Sequence, residues 1–416
     1  MDGFCFSKEN IMNFKIISLI ILTVVYLYQM LLEVIRFRSA ERPTPANVQD
    51  VYDAETYKKW KAYSHEKCRV SMIATTVSFI VSFLLLATNA YAAVAPANPY
   101  GGAIVVLLFY QAVQTLMQLP LEYFDTMKIE GKYGFNRSDK KTFFVDQVKN
   151  FLVSFILLGG LTCLFIALHL SMGDGVLVLF AVLAFLIVLL IAFLYPVFSK
   201  IFNKFTPLED EELKEKLTAL LEKNGYKVQA IKVMDASRRS TKSNAYFSGF
   251  GKMKTIVLYD TLLKNATADE ICAIFAHEMG HGLHKDTLKN QVLSFVNIAL
   301  LALFLWLLAR TDSIYAAFGF EQVNYGLAFI LMSEAVMALI SPLLGLFTAW
   351  HSRRAEYRAD AQAVKEGYGE ALISGLKMLS KENFANLSPS PLLVKLTYSH
   401  PPLSERIATI EKEMGK

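Results

Sequence analysis

Long apolar runs alternate with charged segments along the whole chain. Seven of the runs are close to or above the roughly 20 residues that an α-helix needs to cross the hydrocarbon core of a bilayer. They cover residues 16–35, 71–93, 101–119, 151–170, 175–198, 292–308 and 325–350. Six runs follow the first, so we interpret that first run as a retained helix rather than a signal peptide. The pattern predicts a mainly α-helical, polytopic membrane protein with seven transmembrane helices.

Composition and charge support this topology. Of the 416 residues, 54% are hydrophobic and only 19% are charged, and the mean hydropathy is +0.36. Eight Lys or Arg residues fall in 36–69 and six in 128–149, whereas 94–100 and 171–174 contain none. The positive-inside rule therefore places the large charged segments and the C-terminus in the cytoplasm and the N-terminus outside.

The chain divides into membrane and soluble parts. The predicted parts are 1–198 with five spans and two basic cytoplasmic loops, 199–290 as a soluble insertion, 291–350 with two more spans, and 351–416 as a helical part on the same side as the insertion. The insertion has the pattern of a small α/β unit. Its predicted elements are an amphipathic helix at 208–223, strands at 231–234 and 255–259, and a candidate edge strand at 243–251 that ends in a glycine turn.

The insertion ends in a helix that carries the sequence H-E-M-G-H, in which His277 and His281 enclose Glu278. Positions four apart lie on one face of a helix, so both imidazoles can reach one metal ion with the carboxylate beside them. Thr267 and Glu270 have the spacing of a capping box that begins this helix. Because H-E-x-x-H arises by chance in roughly one in a hundred chains of this length, the motif predicts a zinc site only together with its context.

A zinc site needs a third protein ligand and a fourth position for water. His284 lies about 10 Å along the helix axis from His277, too far for ligands that each sit about 2 Å from one ion. Glu356 and Asp360 lie one turn apart on a helix that leaves the membrane on the same side. Glu356 can ligate the metal while Asp360 orients a ligand histidine or handles a proton. The alternative is a solvated helix face whose carboxylates balance neighbouring arginines, and the residues alone leave both open.

Several motifs resemble one protease family, the type I CAAX prenyl endopeptidases. The matching motifs, in order along the chain, are KIEGKYGFNRSDKKTFF at 128–144, SNAYFSGF at 243–250, TIVLYDTLL at 255–263, HEMGH at 277–281, SRRAEYRAD at 352–360 and YSHPPLSERI at 398–407. The resemblance covers nearly the whole chain. It implies a seven-span zinc protease whose helices enclose a water-filled chamber. We expect a prokaryotic member in the bacterial inner membrane, or the endoplasmic reticulum membrane if the chain is eukaryotic.

The resemblance also implies roles for individual residues. Glu356 matches the third zinc ligand of the family, and Asp360 matches its acidic partner, which is sometimes assigned as proton donor. Asn244 matches a residue that holds the substrate backbone, and His400 matches a histidine near the scissile carbonyl. The structural alternatives are a turn residue for Asn244 and a helix-start residue for His400. Asp286 departs from the family pattern, which has histidine there in eukaryotic members, so the anchoring of the helix end stays open.

Carboxyl and carboxamide side chains also occur within the predicted spans. Glu334 lies in the middle of the seventh span, where a carboxylate is costly in lipid and should face protein or water. Gln111, Gln114 and Gln118 recur at helical spacing in the third span. These residues either line the chamber or form ordinary hydrogen bonds between helices, and the sequence favours neither.

The sequence therefore predicts an integral-membrane zinc metalloendopeptidase that acts near the C-terminus of extended substrates, including prenylated CAAX substrates. One Zn²⁺ per chain is expected on His277, His281 and Glu356, with Glu278 as the base. The expected partners are a peptide or protein substrate and the lipid bilayer. The alternatives are a membrane quality-control protease of the HtpX type and a metal-binding membrane protein without hydrolytic activity.

Two other classes are disfavoured. The net charge of +5 is spread over the cytoplasmic segments, so topology accounts for it and no nucleic-acid partner is expected. The four cysteines are far apart and form no C-x-x-C pair, so neither a disulfide framework nor a thiolate zinc site is predicted.

Overall fold

The computed structural model describes residues 8–198, 203–248 and 253–416 and is mostly helical. The N-terminal part comprises α1 (Lys8–Ser39), α2 (Ala54–Ala87), α3 (Ala90–Val94), α4 (Pro99–Tyr123), α5 (Lys140–Met172) and α6 (Val176–Phe198). The insertion comprises β1 (Phe205–Pro207), α7 (Glu211–Lys223), β2 (Lys227–Met234), β3 (Ala245–Ser248), β4 (Met253–Tyr259), α8 (Asp260–Asn265) and α9 (Ala268–Leu283). The remaining helices are α10 (Asp286–Ala309), α11 (Asp312–Ala317), α12 (Tyr325–Leu331), α13 (Ala338–Lys365), α14 (Gly369–Glu382), α15 (Pro391–Thr397) and α16 (Leu403–Glu413).

Six continuous helical stretches in the described part of the chain are long and apolar enough to cross a membrane. One of them, Lys140–Leu194, contains 55 residues, more than twice the roughly 20 that one crossing needs. A 3₁₀ turn at Gly173–Gly175 divides it into α5 and α6, which pack against each other. Counted as two helices, this stretch gives the seven spans that the sequence predicts.

The membrane helices distribute their side chains as a lipid environment requires. Aromatic and aliphatic residues form a buried core between the helices, including Tyr91, Leu107 and Phe165. Other large apolar side chains point outward, and Val178 and Leu116 are 71% and 67% exposed. Such exposure would be unfavourable in water but is expected where the solvent is hydrocarbon.

The polar residues of the spans form hydrogen bonds between helices. Glu334 lies in a π-helical stretch between α12 and α13 and accepts hydrogen bonds from Tyr110 of α4 and, at 3.1 Å, from Ser82 of α2. Gln111 and Gln118 donate to backbone carbonyls of α5 and α2 at 2.8 and 3.0 Å. Gln114 donates to Ser82 at 2.8 Å. Of the two alternatives for these residues, the contacts agree with hydrogen bonding between helices. Gln118 also borders a cavity of about 410 Å³.

The soluble insertion is a four-stranded sheet covered by helices. The strand order is β1-β2-β4-β3, with β2 and β4 parallel and the other two pairs antiparallel. Apolar side chains of α7, α9 and the sheet form its core, in which Leu217, Ile256 and Phe275 are fully buried. The strand β3 lies at the edge of the sheet, as predicted, whereas the predicted glycine turn at 249–251 lies outside the described residues.

Candidate metal centre

The helix α9 presents His277 and His281 on one face. The predicted capping box is present, because Thr267 Oγ1 accepts from the backbone N–H of Glu270 and the Glu270 carboxylate accepts from the backbone N–H of Thr267. The two imidazole rings are nearly perpendicular, with their centroids 4.9 Å apart. Residues 270–277, 279 and 280 of α9 are buried in the core of the insertion, so the helix is a rigid support for both histidines.

The helix α13 crosses α9 at very short range. A Cβ atom added to Gly280, which lies between the two histidines, would be 2.8 Å from Cα of Ala359. A glycine at 280 permits this approach, because a side chain there would collide with the backbone of Ala359. The crossing brings Glu356, one turn before Ala359 on α13, against both imidazoles.

The three side chains have the separations expected of ligands to one ion. Glu356 Oε2 lies 3.5 Å from His277 Nε2, and Glu356 Oε1 lies 3.3 Å from His281 Nε2. Two ligands at about 2.0–2.2 Å from a tetrahedral ion would be about 3.4 Å apart. Glu356 is only 3% exposed, and its Oε2 also faces His400 Nδ1 at 2.9 Å and Arg406 Nη1 at 3.4 Å. A buried carboxylate that meets two imidazole Nε2 atoms at ligand separation fits a site for a cation.

Two buried aspartates orient the histidines. The Nδ1–H of His277 donates to Asp360 at 2.8 Å, and the Nδ1–H of His281 donates to Asp286 at 3.2 Å. Each imidazole therefore turns its Nε2 toward Glu356, which is the usual arrangement of histidine ligands held by carboxylates. Asp286, whose role could not be predicted from the sequence, thus holds the imidazole of His281 in one orientation.

Cationic side chains hold these aspartates in turn. Arg406 of α16 donates to both carboxylate oxygens of Asp360, at 2.9 and 2.6 Å, and Arg358 and Lys289 donate to Asp286. Arg406 was not predicted as a site residue, although it lies within the motif YSHPPLSERI at 398–407. A charged residue on a short amphipathic helix resembles a solvent-facing one, whereas Arg406 is only 9% exposed.

Of the remaining predicted residues, Glu278 and His400 border the cluster, and Asn244 lies just before β3. Glu278 and His281 line a cavity of about 170 Å³ together with Tyr246 of β3. Asn244 is exposed immediately before β3, and His400 is exposed with its Nδ1 2.9 Å from Glu356 Oε2. His284 forms the C-cap of α9 and is not part of the described group of potential ligands, which comprises His277, His281 and Glu356.

The electrostatics of the cluster favour a positive charge. Burial by itself lowers the pKa of His281, but the neighbouring carboxylates, first Glu356 and then Asp286, raise the pKa by more, so the net shift is upward. The same carboxylates that stabilise a protonated imidazole would stabilise a divalent cation among neutral imidazoles.

The described fold and this geometry define an integral-membrane metalloendopeptidase, and comparisons with known proteins give its family. A family model described as CAAX prenyl protease N-terminal, five membrane helices, matches residues 33–204, and the model of peptidase family M48 matches residues 207–414. The chain belongs to the CAAX prenyl protease family within peptidase family M48. It is a metalloprotease that uses a divalent metal ion and acts on peptide or protein substrates.

Individual relatives match over nearly their full length. The CAAX prenyl protease 1 homolog of Arabidopsis thaliana is 31% identical, over 94% of this chain and 96% of its own. The CAAX prenyl protease 1 of Saccharomyces cerevisiae is 30% identical, over 89% of each chain. The crystal structure of S. mikatae Ste24p has a TM-score of 0.88 to this fold at 28% identity and covers 96% of this chain and 99% of its own.

Proposed function

We propose that this chain is a zinc endopeptidase that cleaves extended peptides near their C-terminus and that prenylated CAAX peptides are among its substrates. The convergence of His277, His281 and Glu356, with both histidines oriented by buried aspartates, supports the metal assignment. Tetrahedral sites with two histidines, one glutamate and an open position are typical of zinc proteases. The names of the relatives support the CAAX substrate class.

The side chains around the cluster have distinct roles in this proposal. Zinc held by the three ligands would supply a Lewis acid that acidifies a water molecule and polarises the scissile carbonyl. Glu278, beside His281 and facing the cavity, takes the proton from water and delivers it to the leaving amine. His400 is exposed next to Glu356 and donates a hydrogen bond to the carbonyl oxygen as negative charge develops there.

We assign Asp360 an orienting role rather than that of proton donor. Its carboxylate is 1% exposed, and its two oxygens are engaged by His277 and Arg406. A carboxylate held in this way stabilises one tautomer of His277 but has little access to a leaving amine. Glu278 is therefore the residue that returns the proton.

The substrate backbone is proposed to bind along β3. This strand pairs with β4 alone in the described sheet, so its other edge can hydrogen-bond an extended peptide. Asn244 lies at the start of this edge with an exposed side chain. Binding by strand addition selects extended and flexible segments, such as the C-terminal tail of a protein.

We also propose that the catalytic unit, built from residues 199–290 and 351–416, faces the cytoplasm. The Lys and Arg residues of 36–69 and 128–149 support this side. The membrane remains a prediction, namely the bacterial inner membrane, or the endoplasmic reticulum membrane in a eukaryote.

The test uses purified protein with a farnesylated CAAX peptide and its unprenylated copy, each with and without a chelator. We expect chelator-sensitive cleavage of the prenylated peptide and a loss of more than about 10³-fold in kcat for Glu278→Gln at unchanged zinc content. Glu215→Gln, at an exposed position of α7, is the matched control and should retain full activity.

The alternatives predict different results. Cleavage of many misfolded membrane proteins without preference for a C-terminal tail would favour a quality-control protease of the HtpX type. One bound zinc per chain without any peptidase activity would favour a metal-binding protein. Native activity in zinc-loaded Glu278→Gln would contradict the catalytic scheme.

A further inference from the structure

The loop between α4 and α5 packs against the segment that leads into the edge strand β3. The backbone N–H of Thr241 donates to the carbonyl of Phe135 at 3.1 Å, and that of Arg137 donates to the carbonyl of Arg239 at 3.0 Å. An antiparallel bridge lies between these two hydrogen bonds. A loop of the membrane part thus pairs as a short strand with the chain just before Asn244. This loop is the motif of residues 128–144 for which the proposed mechanism has no role.

Side chains reinforce this pairing. Lys242 Nζ lies 3.4 Å from Glu130 Oε2 and 5.0 Å from the ring centre of Phe135. Tyr63 of α2 donates its hydroxyl to Glu130 Oε1 at 2.7 Å. We call these four residues, Lys242, Glu130, Tyr63 and Phe135, the Lys242 clamp. The Glu130 side chain is only 14% exposed, so solvent and salt screen this ion pair less than a fully exposed one.

The clamp joins elements that have different roles. Glu130 is the last residue of a π-helical stretch that extends α4 from the membrane, and Tyr63 lies on α2. On the other side, the backbone carbonyl of Lys242 accepts a hydrogen bond from Thr261 of α8 at 3.0 Å. Lys242 is therefore fixed through its side chain to the membrane part and through its backbone to the catalytic unit.

The position of this anchor matters because β3 is an edge strand. A central strand is held by two neighbours, whereas β3 is hydrogen-bonded only to β4 in the described sheet. The edge that faces away from β4 can bind a peptide only if its backbone groups keep one register and direction. Only two residues lie between Lys242 and Ala245, the first residue of β3, so a displacement of Lys242 would also displace the strand.

We propose that the Lys242 clamp holds the edge strand β3 in the position that binds substrate, and that Lys242 and Glu130 are positioning residues that set substrate affinity. They act through β3 and do not touch the reacting atoms. This inference rests on the proposed binding of peptide along β3.

The test compares Lys242→Met, Glu130→Gln and the double variant. Each is assayed for KM and kcat on an extended peptide, for zinc content, and for hydrogen exchange of the backbone amides of β3. We expect KM to rise about threefold to fivefold, as for loss of a partly exposed ion pair, with kcat and zinc content unchanged. Exchange in β3 should become faster. Glu130 also pairs with Lys67 at 3.0 Å, so Glu130→Gln removes the Lys242 ion pair together with a second one. The double variant should therefore be no worse than Glu130→Gln alone.

The matched control is Lys132→Met. Lys132 lies in the same loop and pairs with Glu66 of the same helix α2, but this ion pair does not include the segment before β3. We expect native KM and native exchange in β3 for this variant. Lys242→Arg, which keeps the charge, should recover most of the affinity.

The outcomes separate the clamp from the proposed function. Unchanged KM in Lys242→Met, or an equal rise of KM in Lys132→Met, would contradict the proposed role of the clamp. The proposed peptidase function would still stand in that case, because the wild-type protein would be active. A fall in zinc content or kcat without a rise in KM would also overturn the clamp, since the change would then reach the metal centre. If the wild-type protein binds zinc and cleaves no peptide, the proposed function fails first, and the substrate role of the clamp fails with it.

Discussion

Asp286 is 3% exposed and has three partners, which are His281, Arg358 and Lys289. Its contact with the Nδ1–H of His281 selects the tautomer whose Nε2 carries the lone pair that a metal needs. The two cations keep the carboxylate ionised and fixed in place. Asp286 thus does for His281 what Asp360 does for His277, although it follows α9 directly and Asp360 comes from α13.

We predict that Asp286→Ala weakens zinc binding about 10-fold to 100-fold, the usual cost of removing a carboxylate behind a histidine ligand. Activity should return at high zinc, because the three ligands and Glu278 remain. The zinc affinity of Asp286→Asn should lie between those of the wild-type protein and Asp286→Ala, since the amide oxygen of asparagine can still accept a hydrogen bond from His281 Nδ1. A zinc titration followed by activity measures this effect, with the exposed Asp269→Asn on α9 as control. Equal zinc affinity in Asp286→Ala and the wild-type protein would contradict the orienting role.

The residues of this site differ in how far the sequence reveals them. His277, Glu278 and His281 share one helix, so local periodicity suffices to place them together. Glu356 follows two membrane-crossing segments later. From residue chemistry alone, a role as metal ligand and a place on a solvated helix face were equally compatible with the sequence. Only the family resemblance favoured it, and the structure brings its carboxylate within 3.5 Å of both Nε2 atoms. Arg406 was missed because its partner Asp360 is a tertiary contact.

At the scale of elements, the crossing of α9 and α13 determines whether the three ligands meet. Gly280 provides the gap on α9, and the alanines at 355, 359 and 363 form a narrow buried face on α13. Small residues on both helices let the backbones approach closely, as in other tight helix pairs. The ligands are then delivered by rigid helices rather than by loops.

We predict that Gly280→Ala separates α9 from α13 and lowers both stability and zinc affinity. The added Cβ would lie 2.8 Å from Cα of Ala359, and backbone atoms cannot turn aside as a flexible side chain can. Overpacking of this kind costs about 1–3 kcal/mol. Thermal unfolding and zinc titration of the purified variant test this expectation.

The matched control is Gly345→Ala on α13. A Cβ at Gly345 meets nothing within 4 Å, so this change should be neutral or stabilising by about 0.5–1 kcal/mol, the usual gain from alanine in a helix. Equal stability and zinc affinity of the two variants would show that the helix crossing tolerates a side chain at Gly280.

Element length explains which parts of the fold the sequence predicts. The membrane helices are long apolar runs, so the sequence predicts them directly. The helix α7 begins at Glu211, three residues after its predicted start, because Asp210 caps it. The part predicted to be helical at 351–416 contains the end of α13 and the helices α14 and α16. The strand β1 has three residues and α15 has seven, too few for a periodic pattern, and both were missed. Pairing with β2 and packing on α13 define them instead.

At the scale of the whole molecule, a metal ion in this centre would join two parts of the chain that are far apart in sequence. The helix α9 belongs to the insertion before α10, whereas Glu356 follows α12 near the end of the last span. Without a metal, the two histidines and Glu356 place a buried carboxylate against imidazoles, and stability there depends on packing and on the Arg406 contacts. Zinc should therefore act as a bridge that stabilises the folded state.

We predict that removal of zinc lowers the unfolding temperature of the protein by several degrees. A ligand that binds only the folded state adds about 2.7 kcal/mol at 100 times its Kd. Glu356→Ala should unfold at the same temperature with and without zinc, since the bridge has lost its α13 end. Glu366→Gln is the matched control, because Glu366 follows α13 and its side chain is equally buried at 4% exposure, yet it lies outside the ligand group. Zinc-independent unfolding of the wild-type protein would mean that zinc does not stabilise the folded state. A full zinc effect in Glu356→Ala would mean that Glu356 does not hold the ion, and either result would contradict the bridge.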